Sequence, residues 1–240
     1  FLCVADYNAT HDVVVGLELT SSSSRPVLLE LGTLSPAQVR ELGDWVKSFN
    51  VSMLDVGMLG NLHHARAGEL RFFVGGDQQV LEGVKTVLEA VSKQIVYAGS
   101  AGRGMVVKLA LNLLMGIEME ALAEAINFGE HCGVDRRILV EALATSGYSS
   151  PVMSFKAKRF ALQKYDDPDF RLVLMQKDLS LFMNICREIG VVAPAADSSL
   201  GVLREAVNRG LGDKDCVAVD IVLNAWSTLN QAEASESQPL

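Results

Sequence analysis

Two observations predict that the chain joins an α/β half to an all-helical half. Over residues 1–100, short apolar runs alternate with helical patterns, and the runs lack the apolar–polar alternation of a half-exposed strand. After Gly99 only helical periodicity remains. We therefore predict an α/β domain with a doubly wound sheet over residues 1–100, a long interdomain helix, an all-α domain over residues 101–230, and a disordered tail over residues 231–240.

The elements of the first domain follow from its apolar runs and turn residues. Ser35 is predicted to be the N-cap of a helix because Pro36 stands at the first helical position. Gly75 and Gly76 are predicted to end a strand. The predicted strands are residues 2–5, 27–31, 51–56, 70–74 and 94–98, and the predicted helices are residues 10–19, 36–48 and 78–91, with a loop over 21–26.

The second half is predicted to be a run of helices. The first of them covers residues 104–133, where apolar residues recur at spacings of three and four and Gly133 supplies a C-cap. The later predicted helices cover residues 135–146, 151–162, 171–190, 193–210 and 217–229. The apolar stripes of this half exceed what a small domain buries, so we expect a homodimer.

Composition narrows the classes of function. The chain has 240 residues, is 49% hydrophobic and carries a formal net charge of −8, which argues against a nucleic-acid-binding surface. The richest apolar stretch, residues 105–126, includes Lys108 and three glutamates and therefore does not predict a membrane span. Four scattered cysteines predict neither a disulfide scaffold nor a zinc site. We expect a cytoplasmic protein that binds neither nucleic acid nor membrane.

The stretch after the last strand is the most informative for function. Three glycines in residues 99–104 lead into a helix on which Lys108 and Asn112 share one face. A lysine among apolar neighbours either reaches solvent along its stem or lines a polar cleft at the domain junction, where ligand sites concentrate.

Two loops follow strands at the ligand-binding edge of an open α/β sheet. Thr33 lies in the first, directly after a predicted strand, although a plain capping turn explains its neighbours equally well. The second, residues 54–68, contains glycines whose backbone N–H groups suit an anion or a carbonyl oxygen. It also contains His63 and His64, which are more typical of exposed or cleft-lining residues than of a metal site.

A later helical segment carries a charged pair inside an apolar pattern. Lys177 and Asp178 stand within it, and Phe170 precedes it. A solvated ion pair accounts for the two charges as well as a functional role does.

Together these segments resemble the β-hydroxyacid dehydrogenase family, which includes hydroxyisobutyrate dehydrogenases and glyoxylate reductases. Residues 102–112 are similar to the family's G-x-G-x-x-x-K-x-x-N-N segment, and Thr33 with Pro36 matches its S-T-x-x-P turn. Residues 170–179 match its F-x-x-x-L-x-x-K-D-L element, and residues 212–215 match a late turn. The resemblance implies an incomplete Rossmann-type domain followed by a helical dimerisation domain like the C-terminal part of 6-phosphogluconate dehydrogenase.

The resemblance also implies roles for particular residues. Lys108 would be catalytic and Asn112 would orient it or the substrate oxygen. The residues implied to contact the cofactor, NADP or NAD with NADP favoured, are Ala5, Asp6, Thr33 and Lys177. The residues implied to bind a small-molecule substrate are Leu59, Gly60, Asn61, Phe170 and Asp178.

The departures from the family pattern leave alternatives open. Leu59 and Asn61 replace a serine and a glycine of the family's D-x-P-V-S-G-G loop, which makes the expected pocket more apolar, and Gly32 replaces the serine of the S-T-x-x-P turn. Residues 3–7 and 33–38 are also similar to imine reductases, although those usually carry Asp or Tyr where Lys108 stands. The G-x-G-x-x-G loop that grips the pyrophosphate does not occur in the sequence, and we expect the chain to be the later part of a longer protein. A non-catalytic, dimeric interaction protein is the other hypothesis.

Overall fold

The computed structural model describes residues 1–17 and 26–236, with only the backbone described for residues 231–236. The described residues divide into two compact units, Phe1–Leu111 and Asn112–Leu240. The boundary between the units falls inside one long helix.

The first unit is a sheet with helices on both faces. Its helices are α1 (Tyr7–Gly16), α2 (Pro36–Lys47), α3 (Leu62–Arg66), α4 (Gln78–Glu89) and the first part of α5 (Arg103–His131). Its strands are β1 (Val27–Glu30), β2 (Ser52–Leu59), β3 (Leu70–Gly75) and β4 (Ser92–Gly99), in the spatial order β1-β2-β3-β4.

The sheet is mixed rather than wholly parallel. β1 runs parallel to β2 and β3 parallel to β4, whereas β2 and β3 are antiparallel. Leu2 forms a single parallel bridge to Glu30, so the strand predicted over residues 2–5 is reduced to one paired residue at the side of β1. The carboxyl ends of β1 and β2 therefore share one edge of the sheet.

Burial on both faces explains why β1, β2 and most of β3 read as continuous apolar runs, whereas β4 is largely exposed. One face packs against α2 and the start of α5 through a cluster that includes Leu28, Val39 and Met105. The opposite face packs against α4 through a cluster that includes Leu54 and Phe72. The fold class predicted from the sequence is confirmed.

The second unit is helical throughout its described residues, apart from one isolated bridge between Arg171 and Asp215. It contains the rest of α5, then α6 (Arg136–Thr145), α7 (Pro151–Leu162), α8 (Leu172–Ile189), α9 (Pro194–Asn208), a 3-10 turn at Cys216–Ala218, and α10 (Val219–Glu236). Its core is apolar, with Phe160, Leu172 and Leu200 fully buried.

Three predicted elements need correction. α1 begins at Tyr7 rather than at Thr10 because Asp6 caps it, accepting a hydrogen bond from the backbone N–H of Ala9 at 2.9 Å. The loop between Gly60 and Gly68 contains the helix α3. Disorder over residues 231–236 is wrong, because α10 continues to Glu236. Residues 18–25 and 237–240, which include the end of the predicted first helix, most of the predicted loop and the end of the tail, lie outside the described residues.

Candidate active site

Lys108 stands on α5, and glycines bring the start of this helix directly against β2. A Cβ on Gly57 would lie 2.6 Å from the carbonyl oxygen of Gly104 and 3.0 Å from Cβ of Lys108. A Cβ on Gly104 would lie 2.8 Å from the carbonyl oxygen of Asp55. Only glycine permits two backbones to approach this closely. The stem of Lys108 therefore rests over β2, and its side chain is half-buried.

The first turn of α5 is capped by a side chain from the middle of the sheet. Asp55 on β2 accepts hydrogen bonds from the backbone N–H of Gly102 at 2.8 Å and of Met105 at 3.0 Å. Its side chain is buried, and burial raises the pKa of Asp55, while the backbone hydrogen bonds act in the opposite direction. From the sequence, Asp55 is placed only in the loop motif of residues 54–68, because no local signal links it to Gly102, 47 residues later at the start of α5.

Leu59 ends β2 on the same face as Asp55 and Gly57, since strand side chains alternate. Leu59 is half-buried, so the strand presents an apolar side chain just beyond the residue that contacts Lys108. The next residue, Gly60, has φ 142°, a conformation that glycine adopts readily.

Asn61, which is predicted to bind substrate, is the N-cap of α3. Its Oδ1 accepts hydrogen bonds from the backbone N–H groups of His63 at 3.1 Å and His64 at 3.2 Å. The ring of His64 also contacts this amide oxygen, at 2.8 Å from Nδ1. Among the described residues, His63 and His64 belong to no cluster of three or more potential metal ligands.

The residues predicted to contact the cofactor in the first unit lie side by side. The backbone N–H of Leu31 donates to the carbonyl oxygen of Leu2 at 2.7 Å. This hydrogen bond holds the first residues of the chain beside the end of β1, so residues 4–6 lie next to the turn that follows β1. Gly32 lies so close to Val4 that a Cβ on Gly32 would be 2.8 Å from the carbonyl oxygen of Val4 and 2.6 Å from Oε1 of Glu30. The buried Glu30 side chain thus explains why a serine does not fit at Gly32.

The second unit holds the other predicted site residues, and two of them are joined. Asn112 Nδ2 donates to Asp178 Oδ2 at 2.5 Å, and both side chains are buried. Lys177 Nζ lies 3.2 Å from Asp178 Oδ1 and is a quarter exposed. The pair at Lys177 and Asp178 is therefore not a solvated surface pair, because Asp178 faces Asn112.

A buried ion pair fixes the segment that precedes α8. Lys156 Nζ donates to Asp215 Oδ2 at 2.6 Å, and Asp215 also accepts the backbone N–H of Asp169 at 2.9 Å and, at 3.5 Å, that of Phe170. The carbonyl oxygen of Phe170 accepts a hydrogen bond from the backbone N–H of Cys216 at 2.9 Å. The sequence singled out the turn over residues 212–215 without a role; the structure uses its last residue to position Phe170.

A cavity of about 530 Å³ in the first unit is lined by Val51, Ser52 and Met53 at the amino end of β2 and, farther along the same strand, by Asp55. In the described part of the chain no helix is long and apolar enough to cross a membrane.

Comparison with known proteins gives two family matches that together cover most of the chain. Residues 102–222 match the family described as NAD-binding of NADP-dependent 3-hydroxyisobutyrate dehydrogenase. Residues 1–99 match the NAD binding domain of 6-phosphogluconate dehydrogenase.

Individual relatives agree with the family matches. A probable mitochondrial 3-hydroxyisobutyrate dehydrogenase of Dictyostelium discoideum is 34% identical over 205 residues, which are 82% of this chain and 64% of the relative. The 2-(hydroxymethyl)glutarate dehydrogenase of Eubacterium barkeri is 27% identical over 220 residues, 92% of this chain and 72% of the relative. The cytokine-like nuclear factor N-PAC of Drosophila melanogaster is 25% identical over 223 residues, 91% of this chain but 37% of the relative.

Solved structures show the same fold. The 3-hydroxyisobutyrate dehydrogenase of Salmonella typhimurium superposes with a TM-score of 0.84 at 23% identity, over 92% of this chain and 77% of that one. An imine reductase from Pseudomonas sp. gives a TM-score of 0.52 at 17% identity, over 90% of this chain and 76% of that one. With both halves matched, the chain belongs to the β-hydroxyacid dehydrogenase family of NAD(P)-dependent oxidoreductases.

Proposed function

We propose that the protein moves a hydride between C4 of a nicotinamide cofactor and a substrate carbon, which is the hydroxyl-bearing carbon of a β-hydroxyacid or the carbonyl carbon of an aldehyde-type substrate. The observation that carries this proposal is the seat of Lys108, whose stem lies against Gly57 on β2. An ammonium group held near a reacting oxygen stabilises the negative charge that grows there in the transition state. Lys108 would give its proton to that oxygen on reduction and take it back on oxidation.

The residues at the carboxyl end of β1 suit one side of a dinucleotide. Ala5 and Asp6 are exposed and Thr33 is half-exposed, and Gly32 brings the two segments together at the edge where α/β sheets bind ligands. When bound there, the nicotinamide would supply or accept the hydride. Thr33 would orient its ribose side, and Lys177 would contact it from the helical unit.

Asn112 would orient the substrate oxygen or Lys108. It stands one helical turn after Lys108, and its amide nitrogen is bound to Asp178, which fixes the amide plane and directs Oδ1 as an acceptor. Asp178 would thereby act on the substrate indirectly, through Asn112, while Phe170 and Leu59 would supply apolar contact.

The test is turnover of the intact protein after Lys108→Ala. We expect kcat to fall by about 10²–10⁴-fold, the usual contribution of a positioned proton donor, with cofactor affinity nearly unchanged. Lys85→Ala is the matched control, since Lys85 is half-exposed on α4 and pairs only loosely with Glu82 at 3.8 Å. Equal turnover in the parent, Lys85→Ala and Lys108→Ala would remove Lys108 from the mechanism.

A non-catalytic interaction protein is the second candidate, and one observation favours it. N-PAC, named as a nuclear factor and not as an enzyme, is similar over 91% of this chain. An intact protein that binds NADPH and NADH weakly or not at all, and reduces neither hydroxyacid precursors nor aldehydes, would support this candidate. Formation of amines from cyclic imines would instead indicate imine reduction.

We further propose a cytoplasmic homodimer that prefers NADP. The helical unit exposes Leu114, Phe128 and Leu229, which are 65%, 73% and 60% accessible, and association through this unit would cover them. The matched family of residues 102–222 is described as NADP-dependent, which supports that cofactor. Sedimentation would test the dimer, and titration with NADPH and NADH would test the preference.

A further inference from the structure

Asp55 does more in this structure than complete a loop motif. It lies on β2, between β1 and β3, and its side chain is 1% exposed. The N-cap position of α5 is occupied by Gly102, which has no side chain and could not adopt φ 91° easily with one. The carboxylate of Asp55 replaces the missing cap, because it accepts from Gly102 and from the third helical residue, Met105.

The same contacts set where Lys108 lies along β2. On α5, Gly104 packs against Asp55. Lys108 lies four residues after Gly104 on the helix, and it packs against Gly57, which lies two residues after Asp55 on the strand. Four helical residues rise about 6 Å and two strand residues about 6.6 Å, so the helix and strand advance together. A shift of the helix start relative to Asp55 is therefore passed on to Lys108.

The surroundings leave Asp55 little freedom. A Cβ on Gly75 would lie 2.8 Å from Asp55 Oδ2 and 2.8 Å from the backbone nitrogen of Gly104. A Cβ on Gly102 would lie 2.9 Å from Cβ of Pro36. The carboxylate and the helix start are thus enclosed on these two sides, so a longer acid in the same orientation would press on the start of α5.

We propose that Asp55 is a positioning residue for Lys108: it fixes the start of α5 on β2 and so sets the place of the ammonium group. The inference rests on the proposed function for its kinetic consequence, but the placement of Lys108 can be measured without turnover. The length of the residue 55 side chain should matter more than its charge.

The kinetic test compares Asp55→Asn, Asp55→Glu and Asp55→Ala in the intact protein. Displacing a catalytic group by about 1 Å costs about 100-fold in rate, so we expect Asp55→Glu and Asp55→Ala to lower kcat about 100-fold with KM changed less than about threefold. Asp55→Asn keeps the shape and one acceptor and should lose less. Asp77→Ala is the matched control, because Asp77 caps α4 through Gln79 at 2.7 Å and α4 carries none of the proposed site residues.

A second readout separates this inference from the proposed function. Acylation of Lys108, followed by mass spectrometry across a pH series, reports the surroundings of its ammonium group even if the parent turns nothing over. We expect the profile to shift in Asp55→Glu and Asp55→Asn, with the amides of Gly102 and Met105 exchanging hydrogen faster, and to stay at the parent position in Asp77→Ala.

The combined outcomes test the positioning role of Asp55 separately from the proposed function. If folded Asp55→Glu and Asp55→Asn proteins keep the parent's acylation profile and kcat, the positioning role is overturned. If the profile shifts but neither the parent nor any variant has turnover, the positioning role stands and the proposed function fails.

Discussion

The two units keep their buried aspartates in different ways. In the first, Asp55 is held by two backbone N–H groups at the start of a helix. In the second, Asp215 is held by the Lys156 ammonium, and Asp220 accepts from Arg136 at 2.7 Å and from Tyr165 at 2.6 Å. Backbone N–H groups hold the carboxylate in the first unit, whereas cationic side chains hold the two carboxylates named in the second.

The difference is visible in the titration of the two carboxyl groups. Burial raises the pKa of Asp55, and its backbone hydrogen bonds only partly oppose this. Burial, the largest single cause, acts in the same direction on Asp215, but the hydrogen bond and charge of Lys156, together with the backbone N–H groups of Val217 and Asp169, hold the pKa of Asp215 below its ordinary range. The Asp55 carboxylate positions the start of a helix through hydrogen bonds to backbone N–H groups, and the Asp215 carboxylate is stabilised by the positive charge of Lys156.

The largest change in stability is expected from removing Lys156, the cation that pairs with Asp215 in the second unit. Lys156→Met removes the closest cation from the buried Asp215 and leaves it only Arg159, whose Nε lies 3.7 Å from Oδ2, and we expect about 3–5 kcal/mol less stability. Urea unfolding followed by Trp226, in a Trp45→Phe background, reports on this unit. Lys164→Met is the control, since Lys164 and Asp167 form an exposed pair at 3.9 Å, for which about 1 kcal/mol or less is expected. Equal losses in the two variants would contradict the comparison.

The next effect tests the close approach of backbones in the first unit. Gly57→Ala places a methyl group 2.6 Å from the carbonyl oxygen of Gly104, a backbone atom that cannot turn aside. We expect a loss of about 1–3 kcal/mol, measured by Trp45 fluorescence in a Trp226→Phe background, together with reduced turnover. A Gly57→Ala protein of parental stability and activity would show that α5 is not seated as described.

Opposite pH dependences should distinguish the two carboxylates. The raised pKa of Asp55 means that its contribution to stability is present below the unfolded pKa and is lost as pH rises through the folded value. The lowered pKa of Asp215 means that its contribution is complete above the unfolded pKa and is lost as pH falls through the folded value.

Substitution by asparagine makes this measurable. Asp55→Asn should cost less stability at pH 7 than at pH 4, and the cost of Asp215→Asn should shrink as the pH falls below about 4, the unfolded pKa of an aspartate. Urea unfolding across the pH series, with Trp45 and Trp226 read separately, measures both slopes. Slopes of the same sign would remove the distinction drawn between the two sites.

The smallest effects use glycines with open space around them, one in each unit. Gly83 on α4 and Gly201 on α9 have no other atoms within 4 Å of an added Cβ, apart from their own helix and chain neighbours. Alanine should stabilise each unit by about 0.5–1 kcal/mol, because it loses less conformational entropy in a helix. If Gly83→Ala lowered the stability of the first unit, the open space around an added Cβ would not be what decides whether a glycine there can be replaced.

Predictions from sequence succeeded where a local signal existed. The bounds of α7 were predicted to the residue, since Ser150 and Pro151 mark its start and Ser150 caps Met153 in the structure. The direction of β3 could not be predicted, because an apolar run carries no sign of which way its partner runs. α3 was missed although Asn61 is a common N-cap, because the glycines and histidines around it indicate a loop.

The contacts around the candidate site could be predicted only in part, for the same reason. The spacing of apolar residues over 104–133 identified the helix that carries Lys108 and Asn112, but the partners of that helix lie far away in sequence. Asp55 reaches Gly102 across 47 residues, and Asn112 reaches Asp178 across 66. Such contacts arise only when the sheet and the helices have assembled. The roles assigned to all the site residues, Lys108 and Asn112 included, stay predictions.

The central proposal is that the ammonium group of Lys108, whose stem lies against β2, delivers the proton. Its most direct test is the rate of hydride transfer in a single turnover, measured by nicotinamide absorbance with the intact parent and with Lys108→Ala under saturating cofactor. We predict that the transfer slows by at least about 100-fold while the amplitude of cofactor binding is kept. A transfer rate in Lys108→Ala that equals the parent's would contradict the account.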